Sequence, residues 1–151
     1  MEPVQVRWGA PEDVETIAQY NLQLAWETEQ LRLDWEVVRA GVQAVFEDPS
    51  RGRYLVAELD GNVVGQLMIT TEWSDWRNGP MWWIQSVYVA QEHRGRGVFR
   101  ALFQRLREEA QAASVRALRL YVEKENTTAQ EVYRRLGMRP SGYLVYEMEP
   151  V

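Results

Sequence analysis

The segment Arg94-Gly-Arg-Gly97 places two glycines and two arginines between a predicted strand and a predicted helix. Such a loop can present consecutive main-chain N–H groups, glycines with positive φ and the positive end of a helix dipole to one point. An anionic phosphate group would fit there. Short Gly-x-Gly segments are also common as plain turns, so the loop alone leaves both interpretations open.

The loop differs from two well-known nucleotide-binding sequences. The Walker pattern Gly-x-x-x-x-Gly-Lys-Ser/Thr is absent from the chain, and Arg100 stands where the dinucleotide fingerprint has its third glycine. Neither motif therefore explains the loop.

Acidic and aromatic residues form a second group of chemical interest. Its members are Glu27, Glu29, Glu72, Asp75, Trp73, Trp76, Trp82 and Trp83. Carboxylates and indole rings bind an amine cation by charge pairing and cation–π contact, so a small amine, an amino acid or an amine-bearing antibiotic is a candidate ligand. Two alternatives stay open. Strand alternation would place Trp82 or Trp83 in the core, and a tryptophan cluster can also form a homodimer contact.

Sulfur chemistry and metal binding are not expected. The chain contains no cysteine, which excludes disulfides, thiolate nucleophiles and cysteine-based metal sites. The single histidine, His93, lies in the polar run before the loop, where we predict a solvent-exposed rather than a catalytic side chain. We predict no metal.

Hydrophobic spacing and turn residues predict the elements that position these groups. Strands are predicted at residues 4–8, 54–59, 63–71, 81–89, 117–122 and 142–148. Helices are predicted from residues 10–13 to residue 26, from Asp34 to Asp48-Pro49, over residues 98–113, and over residues 127–136 with Gly137 at the end. Residues 73–80 form a predicted turn-rich connection. The architecture is α/β with a mixed sheet that is antiparallel in its first half.

Length, composition and charge narrow the class of protein. The 151 residues, 46% hydrophobic and 26% charged, predict one globular domain over residues 1–151. The formal charge of 17 − 22 = −5 argues against nucleic-acid binding, which needs a net basic face. No stretch is typical of a signal peptide or a membrane span, so we predict a cytoplasmic protein that does not bind membranes.

The glycine loop resembles a motif of the GCN5-related N-acetyltransferase (GNAT) superfamily. The family pattern Gln/Arg-x-x-Gly-x-Gly/Ala after the fourth strand is matched by Arg94-x-x-Gly97-x-Phe99, which departs at its last position. In the family that small residue lets the helix backbone approach the pyrophosphate of coenzyme A.

A second motif also resembles the family's. Asn-x-x-Ala-x-x-x-Tyr-x-x-x-Gly-Phe is matched by Asn126-x-x-Ala129-x-x-x-Tyr133-x-x-x-Gly137-Met138, with one conservative change. The order of strands and helices is similar too, so the resemblance covers essentially the whole chain. It implies a mixed, mostly antiparallel central sheet of six to seven strands flanked by about four helices.

The resemblance implies an acetyl-CoA site. Main-chain groups of Val87 and Val89 should pair with the pantetheine amides as an added strand would. The pyrophosphate should lie against the N–H groups of Gly95, Arg96, Gly97, Val98, Phe99 and Arg100. The side chain of Arg94 should support the loop and add positive potential, and Asn126 should anchor the last helix and contact the cofactor. As alternatives, the two valines could belong to a strand without a ligand, and Arg96 and Arg100 could simply be solvated.

The resemblance also implies roles in acyl transfer. Tyr133 matches the usual proton donor, and a phenol of pKa about 10 can protonate a thiolate of pKa about 8.5. The N–H of Val89 is the implied oxyanion donor. The alternative for Tyr133 is a tyrosine packed in the core.

The general base is not identified by a motif. Many relatives carry Glu or His where this chain has Gln85, which cannot accept a proton and could instead hold a water or the substrate. Glu72 and Glu29 are the candidate bases, with an exposed surface carboxylate as the alternative for each. Trp73 and Trp83 are candidate substrate-binding residues.

The predicted function is acetyl-CoA-dependent transfer of an acetyl group to a primary amine of a small molecule, directly in a ternary complex. Gln85 and Phe99 keep a second hypothesis open, a non-catalytic module that binds acyl-CoA.

Overall fold

The computed structural model describes residues 3–151. These residues form two compact units, residues 3–120 and Tyr121–Val151, and each is described by itself below. The predicted domain begins at residue 1, so its first two residues lie outside the described part. A single domain over the whole chain stays a prediction.

The first unit is a five-stranded sheet with helices. Its strands are β1 (Gln5–Trp8), β2 (Arg53–Leu59), β3 (Asn62–Ser74), β4 (Gly79–Val89) and β5 (Leu118–Leu120), and its helices are α1 (Val14–Glu29), α2 (Trp35–Glu47) and α3 (Val98–Ala112). Single turns of 3-10 helix cover Pro11–Asp13 and Gln91–His93. The strand order is β1-β2-β3-β4-β5; the first four are antiparallel neighbours and β5 runs parallel to β4. The predicted mixed, mostly antiparallel sheet is confirmed.

The predicted number of six to seven strands is wrong, because the sheet formed by residues 3–151 has five. Residues 142–148 alternate in the predicted manner but form no strand. Alternation marks a preference for extended backbone, whereas a strand also needs a neighbour with which to exchange hydrogen bonds. The last strand of the first unit is also shorter than predicted, since β5 covers only Leu118–Leu120.

The predicted helix starts are confirmed by local hydrogen bonds. Asp34 precedes α2, and its carboxylate accepts from the N–H of Glu36 at 2.9 Å, as an N-cap does. Pro11 opens the 3-10 turn that leads into α1. The helix α2 ends at Glu47, two residues before Pro49, because the residue before a proline disfavours helical backbone.

Apolar side chains cover both faces of the sheet. On one face α1 and α2 pack with Ile17, Val42 and Val56 in a common cluster. On the other, α3 contacts β1 to β4, and its residues Leu102 and Leu106 are fully buried. Each buried leucine contributes about 1.5–3 kcal/mol of transfer free energy. The sheet is thereby held as a rigid support for the end of β4.

The β3–β4 hairpin is longer than predicted. Residues 73–80 were expected to form a connection, but β3 continues to Ser74 and β4 begins at Gly79, so only residues 75–78 turn. Asn78 has a left-handed backbone with φ 51°, a conformation that asparagine tolerates better than most residues. The guanidinium of Arg116 donates to the carbonyls of Arg77 and Asn78, at 3.2 and 3.0 Å. The turn is therefore fixed from the side of β5.

The second unit contains one helix, α4 (Thr127–Arg135), among its described elements. Asn126 is its N-cap, with the side-chain oxygen accepting from the N–H of Ala129 at 3.1 Å. Gly137 follows the helix with φ 96°, a conformation common after a helix end. This helix agrees with the prediction of residues 127–136.

Candidate functional site

The outer edge of β4, which is the edge that faces away from β3, changes its hydrogen-bonding pattern at Gln85. Met68 of β3 lies opposite Ser86, whereas the next residue, Ile69, lies opposite Ile84, so Gln85 is an extra residue in β4. Such a bulge shifts the side-chain and main-chain alternation by one residue. Before the bulge, the N–H of Trp82 donates to the carbonyl of Ala117 at 3.0 Å, in the parallel pairing with β5.

After the bulge, Val87 and Val89 direct their peptide groups away from β3. The N–H of Ala90 donates to the carbonyl of Val64 at 2.8 Å, and hydrogen-bonded positions alternate along an antiparallel pair. Val89, opposite Gly65, and Val87, opposite Leu67, are therefore non-bonded positions. The ladder with β5 covers only Trp82 to Ile84. Within residues 3–120, this part of the edge is open to an added strand.

The loop after β4 is open and leads into a helix N-terminus. Gly95 and Gly97 have φ of 75° and 83°, and a Cβ at either position would meet no described atom within 4 Å. The first intrahelical bond of α3 runs from the N–H of Ala101 to the carbonyl of Gly97 at 3.0 Å. The N–H groups of the first helical turn have no acceptor within the helix, as at any helix start.

The positive charge of the loop comes from arginines on its exposed side. Arg96 and Arg100 are both exposed, and with the helix dipole they make this end of α3 suitable for an anion. Val98 points inward and is 3% exposed, close against Gly65 of β3. The Phe99 ring lies 6.1 Å from the ring of Phe103, one helical turn on. The Phe99 ring does not come within 4 Å of a Cβ built at either glycine.

Arg94 does not extend into the loop. Its Nε donates to the carbonyl of Val89 at 2.9 Å, and its Nη2 donates to Glu27 at 2.6 Å. Its guanidinium carbon lies 5.3 Å from the ring centroid of Tyr88. These contacts connect β4 to α1, which is a geometry that suits the supporting role predicted for Arg94.

The acidic and aromatic residues do not form a single pocket. Trp82 is 6% exposed and packs edge-on against Trp8, with ring centroids 6.4 Å apart, so it belongs to the core. Trp73 and Trp76 are 63% and 89% exposed at the far end of the β3–β4 hairpin. The prediction that these eight residues line one pocket is wrong, because the long hairpin separates its members.

Glu72, Trp83 and Gln85 lie on one side of the sheet, on the stretch of β3 and β4 that runs from the bulge toward the hairpin turn. The indole N–H of Trp83 donates to Glu72 at 3.2 Å, and Arg119 Nη1 lies 3.9 Å from the other carboxylate oxygen. The side-chain amide of Gln85 donates to the hydroxyl of Thr70 at 2.7 Å. Two residues proposed from sequence, a candidate base and a candidate substrate contact, are thus hydrogen-bonded to each other.

A cavity of about 570 Å³ lies beside the end of α1. Its walls include the rings of Tyr20, Trp26 and Tyr88 and the polar side chains of Gln23, Glu27 and Glu92. Glu29 is the exposed last residue of the same helix and does not line this cavity. The cavity is acidic and aromatic in the manner expected for an amine site, although most of its residues differ from those proposed.

Tyr88 is the site residue that sequence reasoning missed. Its side chain points to α1, where its hydroxyl donates to Glu27 and lies 3.0 Å from the side-chain oxygen of Gln23. Burial, with the carboxylate beside it, raises the pKa of Tyr88 to about 12. The period-two alternation of β4 could have found it, since Tyr88 lies between Val87 and Val89 and must face the opposite way.

In the second unit, Tyr133 lies on α4 and is half-buried. Burial raises the pKa of its phenol above the usual 10. The hydroxyl is therefore protonated at neutral pH and can donate a proton. Asn126, the N-cap of the same helix, holds the helix start as predicted.

His93 is half-buried rather than fully exposed. Its Nδ1 is shielded from solvent and has no hydrogen-bond partner among the described residues. Among residues 3–151, no three acidic or histidine side chains come together as metal ligands would. No helix formed by these residues is long and apolar enough to cross a bilayer.

Comparison with known proteins adds independent evidence. Residues 13–138 match the sequence model of the acetyltransferase (GNAT) family. A Bacillus subtilis (strain 168) protein, provisionally named a ribosomal protein bS18-alanine N-acetyltransferase, is 32% identical over 98 residues, 65% of this chain and 60% of that protein. An L-methionine sulfoximine/L-methionine sulfone acetyltransferase of Pseudomonas aeruginosa is 30% identical over 108 residues, 70% of this chain and 62% of that protein. The chain thus spans less than two thirds of these curated relatives.

A solved structure resembles the chain along its whole length. A possible acetyltransferase from Clostridium difficile 630 is 42% identical with a TM-score of 0.93, and the match covers 99% of each chain.

Proposed function

The chain belongs to the acetyltransferase (GNAT) family, and we propose that it transfers an acetyl group from acetyl-CoA to a primary amine of a small molecule, directly, in a ternary complex. The main support for the proposal is the outer edge of β4, which within residues 3–120 is unpaired at Val87 and Val89 and is continuous with the glycine loop and the N-terminus of α3.

The open edge suits an extended chain that carries amide groups. Val87 and Val89 each present an N–H and a carbonyl two residues apart, which is the spacing with which a strand pairs. Pantetheine has two amides and can bind there as an added strand. The carbonyl of Val89 already accepts from Arg94, and its second lone pair is available to a ligand.

The loop suits the pyrophosphate. The N–H groups from Gly95 to Arg100 and the dipole of α3 favour an anion, and Arg96 and Arg100 add positive charge. The space at Gly95 and Gly97 lets a phosphate approach the main chain. Phe99 does not come within 4 Å of a Cβ built at either glycine, so we expect its departure from the family pattern to leave the loop accessible.

Acetyl-CoA, when bound, supplies an activated acyl group as a thioester. The N–H of Val89 would stabilise the negative charge that develops on the thioester oxygen as the amine attacks. The Tyr133 hydroxyl would give its proton to the departing thiolate. Burial raises the pKa of this phenol, so at neutral pH the proton is on the oxygen and available for transfer.

The acceptor amine must lose its proton before attack, because an alkylammonium has a pKa of about 10.4. Glu72 and Glu29 remain the proposed bases, acting directly or through water. Glu72 is held by the indole of Trp83 next to the bulge, whereas Glu29 is at the exposed end of α1. Gln85, fixed by Thr70, would hold the substrate or a water.

The acceptor that we propose is an amine of a small molecule. The relative in Pseudomonas aeruginosa is named for amino-acid derivatives, and the relative in Bacillus subtilis is named for an alanine of a ribosomal protein. The acidic, aromatic cavity beside α1 is of a size that suits a small amine, and it supports a small-molecule acceptor. Homodimer formation and a cytoplasmic location remain predictions of the same proposal.

One observation favours a second candidate, a module that binds acyl-CoA without catalysis. Gln85 stands at the bulge with its amide bonded to Thr70, where many relatives carry a base.

A Tyr133→Phe variant separates the two candidates. We expect the wild type to acetylate members of an amine panel and the variant to lose about 100-fold in kcat. Calorimetric affinity for coenzyme A should change little, because the loop and the edge of β4 are intact. Tight binding of coenzyme A by a wild type that turns over no amine would instead support the module.

A further inference from the structure

Glu27 lies where α1, β4 and the glycine loop meet, and both of its carboxylate oxygens are engaged. One accepts from Arg94 Nη2 at 2.6 Å, and the other accepts from the hydroxyl of Tyr88. Arg94 also donates through Nε to the carbonyl of Val89 at 2.9 Å. One carboxylate on α1 is therefore connected, through one guanidinium, to the main chain of β4.

The contacts of Arg94 define one position of its guanidinium. It touches a carbonyl and a carboxylate and lies 5.3 Å from the ring centroid of Tyr88. A free arginine side chain has about 2 kcal/mol of rotamer entropy, so without these partners it would sample many conformations. The carboxylate of Glu27 is the only charged partner of Arg94 among residues 3–151.

The charge states favour this arrangement at neutral pH. The hydrogen bond from Tyr88, together with the hydrogen bond and the charge of Arg94, outweighs partial burial and holds the pKa of Glu27 below its usual range. The Tyr88 phenol is protonated, since its pKa is raised to about 12. Glu27 is thus an anion that accepts from a neutral phenol and a guanidinium.

We propose that Glu27 is a positioning residue for the binding of acetyl-CoA. It fixes the side chain of Arg94, and through this side chain it fixes the carbonyl of Val89 and the main chain at the start of the glycine loop. The inference rests on the proposed function, because its ligand is the acyl carrier. In this proposal Arg94 holds the loop in position, while Arg96 and Arg100 attract the anionic ligand. The carboxylate itself does not touch coenzyme A.

The test is a double-mutant cycle on the affinity for coenzyme A, measured by calorimetry. Glu27→Gln removes the charge and nearly conserves the shape of the side chain, and Arg94→Ala removes the guanidinium. We expect each single change to weaken binding about 10-fold, and the double variant to bind no more weakly than Arg94→Ala alone. Glu108→Gln, at an exposed position of α3, makes the same change in net charge and should bind like the wild type.

Two further measurements separate positioning from general destabilisation. Tyr88→Phe removes one hydrogen bond to Glu27 and should weaken coenzyme A binding about 3-fold. With a turned-over amine, Glu27→Gln should raise KM for acetyl-CoA by about the factor by which it weakens coenzyme A binding. Because Glu27 also lines the proposed acceptor cavity, KM for the amine is measured separately.

The possible results distinguish a failure of the role proposed for Glu27 from a failure of the proposed acetyltransferase function. Wild-type affinity in Glu27→Gln, or a double variant whose loss is the product of the two single losses, would overturn the role of Glu27 and leave the acetyltransferase proposal standing. A wild type without affinity for coenzyme A would overturn both.

Discussion

Glu72 and Gln85 lie on the same side of the sheet, Glu72 on β3 opposite Met81 and Gln85 at the bulge of β4. Gln85 has an amide that cannot take a proton, and its side chain is occupied by Thr70. Glu72 has a carboxylate that accepts one hydrogen bond from Trp83. Of the two, only Glu72 can act as a base toward an amine.

Glu72→Gln should lower kcat about 100-fold near neutral pH if this carboxylate is the base. Glutamine retains the hydrogen bond from Trp83 and nearly conserves the shape of the side chain. It removes the proton acceptor together with the weak ion pair to Arg119. The loss should shrink as the pH rises toward the pKa of the acceptor amine, which then needs no base. Initial rates between pH 7 and pH 10 measure both effects.

Glu29→Gln serves as the comparison in the same assay. A loss confined to Glu29→Gln would transfer the role to the end of α1. Full activity of both variants across the pH range would contradict a role for either carboxylate and leave solvent as the base.

At the scale of elements, the loop between β4 and α3 depends on backbone that only glycine adopts without strain. Gly97 is the N-cap of α3, with φ 83° and ψ 11°. A β-carbon there costs about 1 kcal/mol from the left-handed backbone alone. It would also occupy space in which the pyrophosphate is proposed to lie.

Gly97→Ala should therefore lower stability by about 1 kcal/mol and weaken coenzyme A binding about 10-fold or more. Gly61→Ala is a matched control, since Gly61 has φ 78° and equally open surroundings in the β2–β3 turn. Urea unfolding and calorimetry measure the two quantities. Equal affinities in both variants would show that the loop does not contact the ligand.

The first strand and the turn after it are joined by a partly buried ion pair. Asp13 is 6% exposed and accepts from Arg7 Nη1 and Nη2 at 2.8 and 3.0 Å and from the N–H of Ala10 at 2.7 Å. Arg7 also donates to Glu58 of β2 at 3.0 Å. Burial raises the pKa of Asp13, but these donors lower it more, so the net shift is downward.

Asp13→Asn should destabilise the fold by about 2 kcal/mol at pH 7, since it removes a charged hydrogen-bond acceptor. A carboxyl whose pKa is depressed by folding stabilises above its ordinary value, here 3.8, and loses that contribution as pH falls through its folded value. The difference from the wild type should thus be full at pH 7 and decrease below about pH 4. Urea unfolding at both pH values measures it.

Asp60→Asn is the isosteric control, at an exposed turn position with φ 52° that asparagine also tolerates. It should match the wild type at both pH values. An Asp13→Asn deficit that did not change with pH would mean that packing, not charge, makes this contact stabilising.

For the molecule as a whole, the sequence predicted features that depend on neighbouring residues, such as helix caps and the glycine loop. It did not predict how distant strands pair with one another. Helical spacing and the cap Asp34 predicted α2, and the glycine loop was predicted where it stands, because these signals depend on near neighbours. The bulge at Gln85 was not predicted, since it is a property of the register between two strands. The strand expected at residues 142–148 failed for a similar reason, because pairing is decided by a partner far along the chain.

The candidate site shows the same division. Val87, Val89 and the loop glycines were named from motifs, and the structure gives them an open edge and positive φ. The direction of the Arg94 side chain and its contact with Glu27 depend on how α1 packs on the sheet, which no local pattern encodes. The tryptophans were grouped by sequence proximity, whereas strand alternation sends Trp82 and Trp83 to opposite faces.

We propose that coenzyme A pairs with the outer edge of β4, and amide hydrogen exchange resolved by residue, with and without coenzyme A, measures this pairing. We expect slower exchange at Val87 and Val89 on binding, with little change at Tyr88, whose N–H already pairs with β3. Uniform protection along β4, or none at the two valines in the presence of saturating coenzyme A, would contradict it.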